Sequence, residues 1–140
     1  MPPSAEPLVV LGIVINGSQQ VLLVRRVGED RWIFPGGQSE PGESEEMTVV
    51  REVKEETGVE CQTLSFIGKR THPESSRQIS YWRCHALSEV VTVADIGEIS
   101  EARWMPIGES VNLLGNKVFE PVKNILIALS GKNSHKEYGY

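Results

Sequence analysis

The stretch from Gly37 to Val59 reads GQSEPGESEEMTVVREVKEETGV, and it decides the fold that we expect for this chain of 140 residues. Ser44 is a typical N-cap residue, and the glutamates that follow it lie in the first turn, where the helix macrodipole favours negative charge. Gly58 can adopt the left-handed conformation that ends many helices. The segment therefore predicts a helix over residues 44–57, preceded by a loop that contains glycine.

Three carboxylates share one face of this predicted helix, because Glu52, Glu55 and Glu56 are spaced at i, i+3 and i+4. Like charges at this spacing repel each other by a few tenths of a kcal/mol per pair. A solvated acidic face is one interpretation, and a site for Mg²⁺ or Mn²⁺, which prefer carboxylate oxygens, is the other. The apolar residues are expected on the opposite face: Met47, Val50 and Val53.

The residues before the helix favour the metal site. The run Phe34-Pro35-Gly36-Gly37 carries two adjacent glycines, so its backbone can approach a ligand without an intervening Cβ. Glu43 lies just before the helix and Arg51 two turns into it, where an ion pair between them would fix the loop to the helix. A turn with an ordinary salt bridge is the simpler alternative.

The spacing of these residues resembles the complete Nudix box: Gly37, Glu43, Arg51-Glu52, Glu55-Glu56 and Gly58, with Val53 and Val59 at its aliphatic positions. Weaker similarities extend over most of the chain and resemble the MutT-type nucleoside triphosphate pyrophosphohydrolases in particular: residues 32–37, 77–82, 98–104 and 119–121. The family implies a single-domain α/β/α sandwich. Strands and helices that mix without strict alternation also favour a mixed central sheet.

The resemblance implies hydrolysis of a nucleoside diphosphate linked to another group, with Mg²⁺ or Mn²⁺ as the cofactor. By this resemblance Glu52, Glu55 and Glu56 would hold the metal with help from the Gly37 carbonyl, and Arg51 would belong to the catalytic group. The chemistry agrees with the residues, since metal can neutralise a diphosphate and activate water.

A further acid before the sixth strand often completes the site in relatives. Glu98 is the candidate for this catalytic and metal-binding position, and Glu101 is its rival. The general base varies within the family, so Glu52 and Glu98 both remain candidates.

Substrate-binding residues are also suggested by the resemblance: Arg25 at the end of a strand for the phosphates, Arg77 for the nucleoside pocket, and Phe119. The MutT-type pattern has an amide at the position of Phe119, which could read a purine edge, whereas a phenyl ring can only stack. Asn116 is near enough in sequence to take over that role. Aromatic residues on strands could stack on a base, although each is more often part of a core: Trp32, Phe34, Tyr81 and Trp82.

Charge and composition limit the partners. The net charge is −5, and residues 38–60 carry eight acidic residues against two basic ones. No basic stripe is visible, so long nucleic acid is not an expected partner. No apolar run approaches the roughly 18 residues of a membrane span. Two cysteines and no secretory signal pattern favour a cytoplasmic protein, and a homodimer is possible.

The remaining elements follow from local patterns. A hairpin is predicted from strands over 8–15 and 20–26, with a short extended piece over 32–34, later strands over 64–70, 79–87 and 102–105, and a last helix that begins near Pro121. One domain of 1–140 is expected, with tails at 1–7 and 130–140.

The expected reaction is the conversion of a nucleoside triphosphate to a nucleoside monophosphate and pyrophosphate. Hydrolysis of ADP-ribose or a nucleotide sugar is an alternative, because Pro73 lies close to where ADP-ribose-hydrolysing relatives carry a proline. A non-catalytic nucleotide-binding module is the third possibility. We expect such a module to have lost a glutamate of the box, and none is lost here.

Overall fold

The computed structural model describes residues 8–93 and 95–137, with side chains as far as residue 131. Its strands are β1 (Val9–Ile15), β2 (Gln20–Arg26), β3 (Gly36–Gln38), β4 (Cys61–Thr71), β5 (Gln78–Ala86) and β6 (Ile99–Pro106). Its helices are α1 (Glu45–Thr57), α2 (Ile107–Leu114) and α3 (Glu120–Glu137). The predictions at residues 1–7 and 138–140 lie outside the described residues.

The strands form one mixed sheet in the order β4-β5-β1-β2-β6, and β3 pairs with β1 beside β2. Strands β1 and β5 run parallel, and the other pairs are antiparallel. Since β3 occupies the start of β1, only the end of β1 meets β2, where Ile15 lies opposite Val21. The predicted mixed sheet is confirmed.

Helices cover both faces of the sheet. Successive side chains of a strand point to opposite faces, so β1 contributes to two cores. Val10 and Val14 pack in one core with Val49 and Val53 of α1. The other core contains odd-numbered residues of β1 together with residues of α2 and α3: Ile13, Ile15, Ile107, Val122 and Leu126. The α/β/α sandwich is confirmed.

Helix α1 begins and ends as the sequence predicts. The Ser44 side chain accepts a hydrogen bond of 3.1 Å from the Met47 backbone N–H. Gly58 has φ +75°, and its N–H donates to the Lys54 carbonyl at 2.9 Å. The two caps fix where the helix stops at each end, and therefore which of its residues face the sheet.

The buried face of α1 differs from the prediction. Val49 and Val53 are fully buried, whereas Met47 is 60 % exposed. Glu56 shares the buried face with these valines. The prediction that the carboxylates lie opposite the apolar face is therefore wrong. On the helical wheel Val49 lies between Glu52 and Val53. A buried face centred on Val49 therefore turns Glu52 and Glu56 towards the sheet.

The glycine run after residue 34 forms a strand, and the extended piece predicted over 32–34 does not. Ile33 forms only an isolated bridge to Val24, and the strand is β3 at Gly36–Gln38. Gly36 has φ +150°, and a Cβ there would lie 2.8 Å from the Leu11 Cα. Only glycine allows this close pairing with β1.

The C-terminal third also differs from the prediction. Helix α2 follows Pro106 directly and was not predicted, because Gly108 and Asn112 weaken its helical signal. Helix α3 reaches Glu137 and so includes residues for which a tail was predicted.

Within the described part of the chain, no helix is long and apolar enough to cross a membrane.

Candidate active site

An acidic cavity of about 710 Å³ lies where β3 meets α1. Its charged lining comes from both the predicted box and more distant segments: Glu40, Arg51, Glu52 and Glu56, with Arg26, Arg77 and Glu98. Backbone of the β3 strand forms one wall, at Gly36, Gly37 and Gln38. The structure therefore places most of the predicted metal and catalytic residues around one open space.

Glu56 is the most buried acid of this cavity, with 2 % of its surface exposed. Its Oε1 accepts a hydrogen bond of 3.2 Å from the Gly36 N–H. Burial raises the pKa of Glu56 to about 8, although the Gly36 hydrogen bond and the positive charge of Arg26 oppose this shift. A buried carboxylate with so little compensation is suited to a cation.

The absence of a side chain at Gly37 leaves room for the Glu52 carboxylate in the cavity. A Cβ at residue 37 would lie 2.5 Å from the Glu52 Cδ, so the carboxylate occupies the space that any other residue would fill. Burial also raises the pKa of Glu52, against the effect of its hydrogen bond from Arg51. The close approach explains in physical terms why this spacing requires glycine.

Arg51 joins the loop before α1 to the helix. Its Nε and Nη2 donate to Glu43 at 2.7 and 3.0 Å, and Nη2 also donates to the Gln38 carbonyl at 3.1 Å. The hydrogen bond from Arg51 is the main reason that the pKa of Glu43 falls to about 2, and Glu43 in turn raises the pKa of Arg51. The predicted ion pair is present, and it holds Arg51 against the loop before α1.

Glu55 lies apart from the other two glutamates of the box. Its carboxylate accepts hydrogen bonds of 3.2 Å from Arg51 Nη1, and its side chain is 53 % exposed and does not line the cavity. In the part of the chain that the structure describes, no three His, Cys, Asp or Glu side chains form a preassembled metal cluster. Arg51 Nη1 donates hydrogen bonds to both Glu52 and Glu55.

The available donors nevertheless fit a hard divalent cation. Glu52 and Glu56 present carboxylate oxygens to the same cavity, and the backbone of Gly37 lines it without a side chain. Oxygen ligands of this kind suit Mg²⁺ and Mn²⁺.

Of the two acids before or within β6, only Glu98 lines the acidic cavity. Its side chain is 64 % exposed and lies 3.8 Å from Arg26 Nη1. Glu101 instead forms ion pairs with Arg25 and Arg103. The geometry therefore favours Glu98 over its rival.

A second cavity of about 390 Å³ adjoins the acidic one. The two share three lining residues: Val9, Arg26 and Arg77. Aromatic and aliphatic side chains form much of the second cavity: Leu11, Trp32, Phe34, Ile79, Tyr81, Leu114, Val118 and Phe119. We call it the apolar cavity. The pair of arginines at the junction separates an acidic space from one suited to a flat ring.

Phe119 lines the apolar cavity, as its predicted role requires. Its ring stacks on Tyr81 with centroids 4.8 Å apart and an interplanar angle of 27°. Gly68 makes room for it, since a Cβ there would lie 2.9 Å from Phe119 Cε2. Asn116 does not line the cavity, so the structure gives no support for an amide that replaces the one expected here.

Trp82 lies on the other face of the sheet from Tyr81. Its indole N–H donates to Glu45 at 2.9 Å, and its ring lies 5.5 Å from that of Phe66. Trp82 is therefore not available to stack on a ligand in the apolar cavity.

The strand-end arginine that reaches the cavities is Arg26, and the prediction of Arg25 is corrected. Arg25 pairs with Glu101 and lies over the Trp32 ring at 5.0 Å, and it lines neither cavity. Neighbouring residues of a strand point to opposite faces, so only one of the two arginines can face Glu56. Arg77 lines both cavities, where the prediction placed it.

Comparison with known proteins identifies the family. Residues 6–123 match the model of the NUDIX domain. The chain belongs to the NUDIX family. This Nudix chain is 33 % identical over 78 residues to the 8-oxo-dGTP diphosphatase of Escherichia coli, an alignment that covers 53 % of the chain and 60 % of that protein. It is also 29 % identical over 120 residues to the NAD-capped RNA hydrolase NudC of Pseudomonas putida, covering 78 % of the chain and 42 % of NudC.

The Nudix fold is also evident in solved structures. A NUDIX hydrolase from Nitrosomonas europaea superposes with a TM-score of 0.74 at 21 % identity, covering 89 % of this chain and 72 % of the other. The chain spans 38 to 60 % of the length of the curated relatives compared here. The similarity therefore assigns the family and the fold.

Proposed function

We propose that this Nudix domain hydrolyses a nucleoside triphosphate to a nucleoside monophosphate and pyrophosphate, with Mg²⁺ or Mn²⁺ as its cofactor. The observation that carries the proposal is the junction of the two cavities, where Arg26 and Arg77 lie between carboxylates on one side and aromatic rings on the other. A nucleotide has the same division, with charged phosphates at one end and a flat base at the other. The diphosphatase activity named for the Escherichia coli relative supports this assignment.

The acidic cavity would bind the cation that the phosphates require. Glu52, Glu56 and Glu98 are the carboxylates that line it, and Gly37 contributes its backbone. A bound divalent cation neutralises the phosphate oxygens and lowers the pKa of a bound water. Glu55 would join the site by exchanging its hydrogen bonds with Arg51 for the cation.

The chain's own groups orient the reaction. Arg26 and Arg77 would hold phosphate oxygens by charge-assisted hydrogen bonds. Glu52 or Glu98 would accept a proton as water attacks the inner phosphorus and pyrophosphate leaves. Arg51 keeps Glu52 in place through its 2.8 Å hydrogen bond. Phe119, backed by Tyr81, would stack on the base.

The cellular setting is also a proposal. Cys61 and Cys84 are both free and buried, which agrees with the reducing cytosol. A homodimer remains a proposal, to be tested by sedimentation.

The test is a panel of nucleoside triphosphates, ADP-ribose and nucleotide sugars, incubated with Mg²⁺ and analysed for phosphorus-containing products. Glu52→Gln should lower the rate by at least about a hundredfold, the scale for loss of an essential catalytic or metal-positioning group. Glu46→Gln is the matched control, because Glu46 is exposed on the same helix outside both cavities.

Each outcome selects one interpretation. Pyrophosphate and a nucleoside monophosphate from a triphosphate would support the proposal, provided that Glu52→Gln removes the activity. Cleavage of ADP-ribose or a nucleotide sugar alone would support the alternative function, that of an ADP-ribose or nucleotide-sugar hydrolase. Nucleotide binding without any turnover would indicate a non-catalytic module.

A further inference from the structure

The hydrogen-bonding side chains around the apolar cavity are mostly donors. Basic residues line it in excess over acidic ones: Arg26, Arg31, Arg70, Arg77 and Lys117 against Glu29 and Glu74. Arginine and lysine side chains can only donate hydrogen bonds. Arg26 and Arg77 lie at the junction and are assigned to the phosphates, and Arg31 and Lys117 pair with Glu74, so Arg70 is the lining cation that can meet a base.

Arg70 and Tyr81 form a fixed donor group beside Phe119. Arg70 Nε donates to the Tyr81 hydroxyl oxygen at 3.2 Å, and Arg70 Nη2 donates to the Lys117 carbonyl at 3.0 Å. The guanidinium carbon lies 5.3 Å from the Phe119 ring centroid. Because the Tyr81 oxygen already accepts from Arg70, its own proton is left to donate, as are the remaining guanidinium N–H groups.

His72 is also held as a donor. Its Nδ1 lies 3.2 Å from the backbone nitrogens of Glu74 and Ser75 and accepts a hydrogen bond from each. An accepting Nδ1 carries no proton, so the proton of the neutral ring is on Nε2. His72 lines the apolar cavity and carries this N–H group.

Most of the acceptor groups near the cavity already have a hydrogen-bond or ion-pair partner. Glu74 lies 3.6 Å from Arg31 Nη1 and 3.3 Å from Lys117 Nζ, so its carboxylate is shared between two cations. Glu29 is the other acid and is exposed to solvent. Six carbonyls of lining residues already accept backbone or side-chain hydrogen bonds: those of Arg26, Ile33, His72, Arg77, Lys117 and Phe119.

We propose that the apolar cavity selects nucleobases that carry a ring carbonyl where their counterparts carry an amino group. The keto bases are hypoxanthine, guanine, uracil and thymine, and the disfavoured amino bases are adenine and cytosine. A ring carbonyl with its neighbouring ring N–H offers two lone pairs and one donor, whereas an amino group with its neighbouring ring nitrogen offers one lone pair and two donors. A site rich in donors therefore favours the carbonyl. The inference rests on the proposed function, because it takes this cavity as the base site.

Matched ligands test the inference without catalysis. IMP and AMP differ at the purine 6-position and in the proton on the adjacent N1, and UMP and CMP differ in the same way at the pyrimidine 4-position and N3. Calorimetric binding of these four monophosphates to the full chain in EDTA measures the preference directly. We expect IMP to bind about tenfold tighter than AMP, and UMP tighter than CMP by a similar factor, as for one lost hydrogen bond to a charged group.

Variants identify the residue that causes the base preference. Arg70→Met should reduce the ratio of IMP to AMP affinity to about twofold or less, because it removes the donors and keeps the length of the side chain. Lys69→Met is the matched control and should leave the ratio unchanged, since Lys69 is next in sequence and pairs with Glu45 outside both cavities. Phe119→Ala should weaken both ligands by a similar factor, because stacking does not depend on the base edge.

Three results would overturn the inference: equal affinities within each pair, a preference for AMP or CMP, or no binding of any monophosphate. An amino-base preference that disappears in Glu29→Gln would assign the readout to that acceptor instead. If Arg70→Met does not fold, the wild-type ratios still decide. A failure to hydrolyse any phosphoanhydride would contradict the proposed function and leave the measured base preference unaffected.

Discussion

The two cavities are built in different ways. Most of the acidic cavity comes from one continuous segment, residues 36–56, in which two glycines, one arginine and the glutamates are fixed by their spacing along β3 and α1. The apolar cavity instead gathers residues from β1, β4 and β5 and from the loops that follow β2, β4 and α2. The first can be recognised from a local pattern, and the second exists only after the sheet has formed.

The two cavities are also held by different forces. Around the acidic cavity, Arg51 binds Glu43, Glu52 and the backbone at short distances, and the glycines leave little room for change. At the rim of the apolar cavity, Glu74 joins Arg31 and Lys117 by exposed ion pairs, which are worth at most about 1 kcal/mol each. Substitutions should therefore separate catalysis from base binding.

The largest effect is expected from Gly37→Ala. The new Cβ would occupy the place of the Glu52 carboxylate, whose Cδ lies 2.5 Å away. A flexible side chain can move aside, so the fold should survive while the rate falls by about a hundredfold or more. The binding of a nucleoside monophosphate in EDTA should change by less than about twofold, because no new atom enters the apolar cavity.

Gly17→Ala is the control for Gly37→Ala, since a Cβ at Gly17 would have nothing within 4 Å. Steady-state rates and calorimetric affinities check both variants. If Gly37→Ala kept the wild-type rate, Glu52 would not need its observed position, and the assignment of the acidic cavity would be wrong.

The geometry around the acidic cavity is largely local and could therefore be predicted in part from the sequence. The caps at Ser44 and Gly58, the ion pair of Glu43 with Arg51, and the position of Glu98 just before β6 all follow from spacing along the chain. The failures are equally physical. Which face of α1 is buried depends on how the helix packs against β1, where a Cβ at Gly12 would lie 2.9 Å from Val49 Cγ2.

The apolar cavity was predicted only in part. Phe119 and Arg77 were found by resemblance, but nothing local distinguishes Arg25 from Arg26, because the choice depends on the pairing of β2 with β6 and a register shift between these two residues. The donor group of Arg70, Tyr81 and His72 had no signal in the sequence. It depends on the pairing of β4 with β5 and on the loop between α2 and α3.

A smaller effect is expected when the two strand-end arginines are compared. Arg26→Met should raise the KM for a nucleoside triphosphate about tenfold, since it removes a charge-assisted hydrogen bond to phosphate at the junction of the cavities. Arg25→Met should change the KM by less than about threefold, because the loss of an ion pair with Glu101 acts mainly on stability. Steady-state kinetics on both variants would contradict this assignment if Arg25→Met had the larger effect.

The last effect concerns stability without metal rather than a rate or an affinity. The pKa of Glu56 is raised from 4.5 to about 8 by burial, so the folded state binds a proton that the unfolded state releases near pH 4.5. The stabilisation is therefore complete below about pH 4.5 and is lost as the pH rises through about 8. Between about pH 5.5 and pH 8.5 the free energy of unfolding in EDTA should fall by about 1–3 kcal/mol.

Thermal melts at several pH values, with Glu56→Gln for comparison, check this prediction. The variant cannot ionise at residue 56, so its melting temperature should depend less on pH. Some dependence will remain, because burial also raises the pKa of Glu52. Glu43 does not interfere, since its pKa of about 2 keeps it ionised throughout this range. If the melting temperature of Glu56→Gln depended on pH as steeply as that of the wild type, or more steeply, the proton would be bound at another residue. The raised pKa of the buried Glu56 would then not be a property of the acidic cavity.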